Sequence, residues 1–259
     1  MGRSGNRRVQ FKEFEVHDEK SAMKVGTDAL LLGSWSKVEE ASMIADIGCG
    51  CGIVALMVAQ RAKNALVIGI ELEPKAASEA AENIRNSPWS DRVQVVQSSI
   101  QEFAKNQELH GRFDVLVSNP PFFKNHPKSP QLERNLARHD DSLPIEVLLS
   151  VADQLLKEEG FLDLIWPSDR WDELKAMSES LGFALLTRIG VKGNTDGETR
   201  RFLCRWQKRS PLSAAVGAQM DLNKELVIET NQRINGVPIL SEDYMELLDA
   251  YVRYWPSAR

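Results

Sequence analysis

The sequence predicts an α/β fold: a doubly wound, mainly parallel seven-stranded sheet with helices on both faces and one antiparallel strand. Three observations carry that reading. Short apolar runs alternate repeatedly with segments of helical spacing. The first run passes at once into a glycine-rich turn and a helical segment, the opening of a nucleotide-binding βαβ unit. The last two runs are joined by a turn-rich stretch, 192–200, with no helix between them, so one of the two runs antiparallel.

Taken in order, residues 1–12 carry Arg3, Arg7, Arg8 and Lys12 with no acid and read as a basic flexible arm. The main domain is expected over 13–209, with 210–259 as an extension packed on it. Residues 11–16 alternate like a strand, and Thr27 or Asp28 caps a short helix over 30–35. A strand at 43–47 leads into Gly48-Cys49-Gly50-Cys51-Gly52 and a helix over 53–62. The second strand, 66–71, ends in Glu71, and Pro74 suits the first turn of the helix that follows. Strand 93–97 is left through Ser98-Ser99, whose hydroxyls either cap the next helix or meet a ligand edge. Strand 113–117 ends in Ser118-Asn119-Pro120-Pro121-Phe122. A helix over 143–157 has Pro144 in its first turn, strand 161–166 follows, and Ser168 caps a helix reaching Ser180. Strands 184–191 and 201–207 complete the sheet. The extension holds a strand at 225–228 and a helix over 241–255 with Met245, Leu248 and Val252 on its inner face.

Composition narrows the class. The chain has 259 residues, 42% of them hydrophobic and 27% charged, with a formal net charge of −5. Such a balance belongs to a globular protein and argues against wholesale wrapping of nucleic acid, while leaving room for a local basic patch. Three cysteines cannot make a disulfide framework, and Cys49-Gly50-Cys51 lacks the spacing of a redox or zinc pair, so no metal site is expected. No apolar run approaches the ~20 residues that span a bilayer. A cytoplasmic protein without a membrane or an obligate protein partner is expected; the oligomeric state is not legible.

The chemistry lies where strands end. Gly48, Gly50 and Gly52 let the backbone turn tightly and a ligand lie against it, but their spacing misses the dinucleotide fingerprint, which disfavours an NAD-dependent oxidoreductase. Asp46 beside them suits a ligand with an ammonium group. Glu71 stands where a carboxylate accepts from both hydroxyls of a ribose. Pro120 fixes its own φ and pushes Asn119 towards an extended conformation, which holds the Asn119 amide out at the strand end. The amide oxygen and a neighbouring carbonyl can accept from a planar NH2 group while Phe122 covers its face. In such sheets ligands lie outside the carboxyl ends of the strands, which brings Asp46, the glycines, Glu71, Ser99 and Asn119 to one rim.

Asp46-Ile47-Gly48-Cys49-Gly50-Cys51-Gly52 with Glu71 and Asn119-Pro120-Pro121-Phe122 resembles the class I, Rossmann-like, S-adenosyl-L-methionine (AdoMet)-dependent methyltransferases of the amino-methylating type. Met23-Lys24-Val25-Gly26-Thr27-Asp28, Leu31-Leu32-Gly33-Ser34-Trp35, Asn86-Ser87-Pro88-Trp89 and Ala137-Arg138-His139 are narrower. They resemble the bacterial tRNA1(Val) (adenine(37)-N6)-methyltransferase family, which methylates the adenine just 3′ of the anticodon. The likeness runs from about Phe11 to Tyr254. It implies AdoMet as cofactor, tRNA as partner, and methyl transfer to the exocyclic N6 of adenine with Asn119, Pro120, Pro121 and Phe122 as the catalytic loop. It also implies a cofactor site drawn from Lys24, Thr27, Asp46, Gly48, Cys49, Gly50, Gly52, Glu71, Ser99, Ile100 and Asn119. Lys124, Lys128, Arg134, Arg138, Lys192, Arg200 and Arg201 are expected to meet RNA. Two departures stand out: Ser99 replaces an acid frequent in this family, and Phe122 a frequent Tyr. The same loop occurs in rRNA guanine-N2 methyltransferases and a similar one in protein glutamine-N5 methyltransferases. A non-catalytic AdoMet-binding RNA factor is the reading from another class.

Overall fold

The computed structural model describes residues 7–121, 143–210 and 221–255. Nine described strands form one sheet. In chain order they are β3 (Met43–Ile47), β4 (Leu66–Glu71), β5 (Val93–Gln97), β6 (Phe113–Ser118), β7 (Leu156–Pro167), β8 (Phe183–Asn194), β9 (Thr199–Lys208), β10 (Asp221–Ile234) and β11 (Val237–Leu240), arranged β11-β10-β8-β9-β7-β6-β3-β4-β5. Strand β9 runs antiparallel between β7 and β8, as expected, and β3 to β7 are parallel. The two strands beyond the expected seven come from the C-terminal segment: β10 pairs parallel with β8 and β11 folds back on β10. The segment expected to pack on the domain thus continues its sheet.

Both faces of the sheet's parallel centre are covered, and its strands β3, β4 and β6 are apolar on both sides, as buried parallel strands must be. Ile44, Val67, Val115 and Val117 face one core with helices α1 (Thr27–Trp35) and α2 (Ile53–Arg61). Ala45, Ile47, Ile68, Ile70 and Leu116 face the other, with α4 (Ile100–Phe103), α5 (Ile145–Leu155) and α6 (Trp171–Ser180). Helix α2 is buried from Ile53 to Ala59 because it lies between the sheet and α1. That sandwich is tight at Gly33, where a Cβ would come within 2.8 Å of Met57 Sδ.

Local expectations shift where tertiary partners compete. The N-cap of α1 is Gly26, in extended conformation; Thr27 opens the helix and the Asp28 carboxylate pairs with Arg201 at 3.1 Å instead of capping. Ser168 likewise does not cap α6: its hydroxyl donates to the Thr199 carbonyl at 2.7 Å, and a 3-10 turn, Ser168–Arg170, precedes the helix. Helix α5 stops at Leu155 and β7 begins at once, kinked where Glu159 adopts φ 62° beside Gly160. Of the basic arm expected over 1–12, residues 1–6 lie outside the described residues, and Arg8–Gln10 form a strand (β1) that pairs with Glu15–His17 (β2). Phe11 and Phe14 at its turn are buried and stacked at 4.6 Å. Their apolar area holds this hairpin on the domain at the edge of Trp89. Helix α7 (Glu242–Leu248) is shorter than expected; it buries Tyr244 and Leu248, and Tyr251 is buried just beyond its end. The Tyr251 hydroxyl donates to the Met57 carbonyl at 2.9 Å and ties the C-terminal segment to α2. No described helix is long and apolar enough to cross a membrane.

Candidate active site

Strand β3 sits between β6 and β4, and all three are parallel, so their carboxyl ends open together. Ile47 is level with Ser118 on one side and Ile70 on the other. At the ~4.8 Å spacing of strands, Gly48, Glu71 and Asn119 therefore leave the sheet as neighbours. Sequence reasoning placed these groups on one rim, and the register does the same.

The turn after β3 is fixed by backbone bonds. The Gly48 and Cys49 amides donate to the Ile70 carbonyl at 2.9 and 3.1 Å, and the Gly52 amide to the Cys49 carbonyl at 2.8 Å. Gly48, Gly50 and Gly52 have φ of 71, 55 and 83°, values that L side chains rarely adopt. A Cβ at Gly48 or Gly50 would meet nothing within 4 Å, whereas at Gly52 it would touch Ala80 at 3.3 Å. The first two glycines thus front open space, and the third lets α2 approach its neighbour, α3 (Pro74–Arg85). Cys49 turns its sulfur into the sheet, against Gly69. Burial pushes both thiols up, Cys51 to about 12, so neither is a thiolate nucleophile at neutral pH.

Two carboxylates bracket the turn. Glu71 is half-buried: Oε2 accepts from the Gly50 amide and Oε1 from the Glu73 amide, each at 2.8 Å. Asp46 is 2% exposed and accepts from the Ala55 amide in the first turn of α2 at 2.9 Å. Burial lifts its pKa to about 7; the Ala55 amide works against the rise and the Glu71 charge adds to it. A neighbouring cation would reverse that burial effect.

At the end of β6, the Ser118 hydroxyl donates to the Ile47 carbonyl at 2.8 Å and locks the two strand ends together. The next residue, Asn119, is half-buried, and its amide oxygen is fully buried with no hydrogen-bond partner among the described residues. A buried acceptor without a donor costs ~1–3 kcal/mol, which a ligand N–H would recover. Pro120 is buried and Pro121 half-buried.

Other expected residues have local partners. Ser99 caps α4, accepting from the Glu102 amide at 3.1 Å, and Ile100 is buried in the core beneath. The Lys24 ammonium donates to the carbonyls of Asp18, Glu19 and Ser21 at 2.6, 2.9 and 2.9 Å. Lys192 pairs with Glu225 at 2.9 Å, and Arg200 is exposed beside Arg201 on β9. Phe122, Lys124, Lys128, Arg134 and Arg138 lie outside the described residues.

Sequence reasoning missed two buried polar side chains on α3. Asn83, 1% exposed, donates to the carbonyls of His17 and Cys51, both at 2.8 Å, and accepts from the His17 amide at 2.9 Å. Glu79, 2% exposed, accepts from the amides of Lys20 and Ser21 and from the Ser21 hydroxyl. Together they clamp the segment before α1 to the glycine turn. The signal was present: two polar residues four apart on the alanine face of a helix point inward.

Comparison with known proteins agrees with this geometry. Residues 20–182 match the methyltransferase small domain family. The tRNA1(Val) (adenine(37)-N6)-methyltransferase of Bacteroides thetaiotaomicron is 42% identical over 93% of this chain and 95% of its own. The protein of that name from Dyadobacter fermentans is 37% identical over 95% and 97%. Among solved structures, a predicted O-methyltransferase from Agrobacterium tumefaciens superposes with a TM-score of 0.65 at 20% identity, covering 88% of this chain and 98% of that one. The last likeness shows the fold alone.

Proposed function

This chain belongs to the methyltransferase small domain family, within the group of bacterial tRNA1(Val) (adenine(37)-N6)-methyltransferases, and from that membership we propose that it transfers a methyl group from AdoMet to N6 of adenine 37 in a valine tRNA. The observation that carries the chemistry is the buried Asn119 oxygen, without a partner among the described residues, beside the open glycine turn.

The residues present fit AdoMet. Gly48 and Gly50 leave room against the backbone, Glu71 keeps acceptor capacity for ribose hydroxyls, and Asp46 is the nearby carboxylate for an ammonium group. When bound, AdoMet supplies an electrophilic methyl on a sulfonium. The chain's own part is to hold and orient the acceptor. The Asn119 oxygen and the Pro120 carbonyl accept from the exocyclic NH2, drawing the nitrogen lone pair out of conjugation with the ring. Both also stabilise the positive charge that grows on that nitrogen. Leaving the stack costs a target base a few kcal/mol, less in a loop than in a duplex. Phe122 is assigned to stack on the base and offset part of that cost. Lys192, Arg200 and Arg201, on the strands beside the rim, are assigned to the RNA, with Lys124, Lys128, Arg134 and Arg138.

The test is transfer of labelled methyl from AdoMet to total tRNA, ribosomal RNA and release factors, each from cells lacking this protein, with the product identified by nucleoside digestion and mass spectrometry. N6-methyladenosine in valine tRNA alone is expected. Methylguanosine in ribosomal RNA, methylglutamine, or no transfer despite AdoMet binding would overturn the proposal.

A further inference from the structure

The sheet does not end level with the active-site rim. Ser118 is level with Leu164 on β7, and the next residue along, Ile165, pairs with Leu203, which pairs with Ile189; Ile189 in turn pairs with Lys224. That row marks the height of Asn119 across the sheet. Beyond it β8 continues to Asn194 and β10 to Ile234, both in the direction in which β6 delivers Asn119. At ~3.3 Å per residue, the β10–β11 tip stands on the order of 30 Å above the row. The two hairpins are tied side by side: the Asn231 amide donates to Asp196 at 2.6 Å. They form a wing standing over one side of the rim.

The wing's tip differs in chemistry from the chain beneath it. Residues 230–238 read Thr-Asn-Gln-Arg-Ile-Asn-Gly-Val-Pro, with no carboxylate, on a chain of net charge −5. Asn235 and Gly236 turn the chain with φ of 52 and 81°, and Arg233 donates to the Gly236 carbonyl at 3.0 Å while remaining exposed. Gln232 is exposed beside it, and Ile234 and Val237, paired across the turn, are 39 and 53% exposed. Lower on the wing, the carboxylates of Glu225 and Asp196 are engaged by Lys192 and Asn231.

We propose that this wing is a docking surface for the RNA that carries the target base, with Arg233 on a phosphate and Gln232 on the ribose or base edges next to it. The inference rests on the function proposed above. A base delivered to Asn119 enters through the open ends of the strands, so the nucleotides flanking it leave in the direction the wing extends. A cation and an exposed amide are groups that meet a sugar–phosphate strand; of the nearby carboxylates, Glu229 lies four residues before Arg233 and Asp196 is already engaged by Asn231. The wing also lies wholly outside residues 20–182, which match the general methyltransferase model. The relatives named for a tRNA target align over 93 and 95% of the chain. The part added to the common catalytic core is the part that reaches past the site.

The test uses the full chain, its Arg233→Glu variant and the Gln232→Ala/Arg233→Ala pair, all at exposed positions. Binding of valine tRNA is measured across a salt series, alongside AdoMet affinity and methyl transfer. Expected are a loss of tRNA affinity on the order of tenfold for Arg233→Glu and a salt slope shallower by about one for both variants. KM for tRNA rises while kcat at saturating tRNA and AdoMet affinity hold. Variants that bind tRNA with unchanged affinity and salt slope would overturn the wing's role while leaving the function standing. An unmodified chain that binds no tRNA would overturn both.

Discussion

Replacing Asn83 by Ala is the sharpest test of how the glycine turn is held. The side chain makes three hydrogen bonds at 2.8–2.9 Å, to the His17 amide, the His17 carbonyl and the Cys51 carbonyl, and is 1% exposed. Each such bond is worth ~1 kcal/mol net, and backbone groups left buried without partners cost at least as much, so a loss of roughly 3 kcal/mol is expected. For a chain of this size that lowers Tm by roughly 6–12 °C. The Cys51 carbonyl lies between Gly50 and Gly52, so part of the loss falls on the turn itself. If ~1 kcal/mol of it is spent reordering the turn on binding, AdoMet affinity falls about fivefold. Urea unfolding gives the stability and calorimetric titration the affinity. Asn83→Asp should not rescue, because a carboxylate would face two carbonyls. A stability loss under ~1 kcal/mol, or an unchanged AdoMet affinity, would refute the clamp.

Three further outcomes follow from the same geometry. Asn119→Ala should lower kcat by about a hundredfold, ~3 kcal/mol, with AdoMet affinity little changed and stability equal or slightly higher, since an unpartnered buried oxygen is removed; single-turnover kinetics at saturating tRNA read this directly, and a near-normal rate would remove Asn119 from the mechanism. Gly50→Ala places a Cβ at φ 55° in open space, so stability should fall by only ~1–2 kcal/mol while AdoMet affinity drops more than tenfold, read by thermal unfolding with and without AdoMet. Burial holds the Asp46 carboxyl at a pKa of about 7 in the folded chain, against the ordinary 3.8, so between these the folded chain keeps a proton that the unfolded chain releases. Its contribution to stability is full below about pH 4, falls by ~1.4 kcal/mol per pH unit as pH rises towards 7, and is flat above. Asp46→Asn should remove that slope from urea midpoints measured from pH 4 to 8, and an unaltered slope would assign it elsewhere.

What was legible in the sequence and what was not divides along physical lines. Strands β3, β4 and β6 and the second half of β7 are apolar runs closed by turn residues, and burial on both faces makes such runs visible without knowledge of a partner. Strand β10 is not of that kind. Asp221-Leu222-Asn223-Lys224-Glu225 precedes its apolar stretch and Thr230-Asn231-Gln232-Arg233 follows it, so only 225–228 stood out, although the strand runs to Ile234. Its extent is set by pairing with β8, a tertiary fact with no local trace. The same holds for β1, whose three residues gain order from Phe11 and Phe14 packing further along the chain. Caps failed where a stronger partner was available, as with Asp28 and Arg201. At the site, the glycine turn, Glu71 and Asn119 were legible because position at a strand end constrains chemistry. Of Asn83 and Glu79 only the inward direction was legible, from their place on the alanine face of α3; their partners were not, because these depend on what the helix is packed against.

The site's chemistry does not by itself choose the substrate. An unpartnered amide oxygen beside a proline carbonyl accepts equally from N6 of adenine, N2 of guanine or the side-chain nitrogen of glutamine, all planar NH2 groups. Discrimination has to come from groups that meet the molecule carrying the NH2, some distance from the reacting atom. On this chain, strands β8, β10 and β11 reach well past the rim. A short single-stranded RNA centred on an adenine separates the two roles. It should be methylated with a kcat near that of tRNA but with a higher KM, and Arg233→Glu should raise the KM of tRNA more than that of the short RNA. If both substrates lose equally, the wing acts on the site itself and not on delivery, and the selection of adenine would have to reside within the rim.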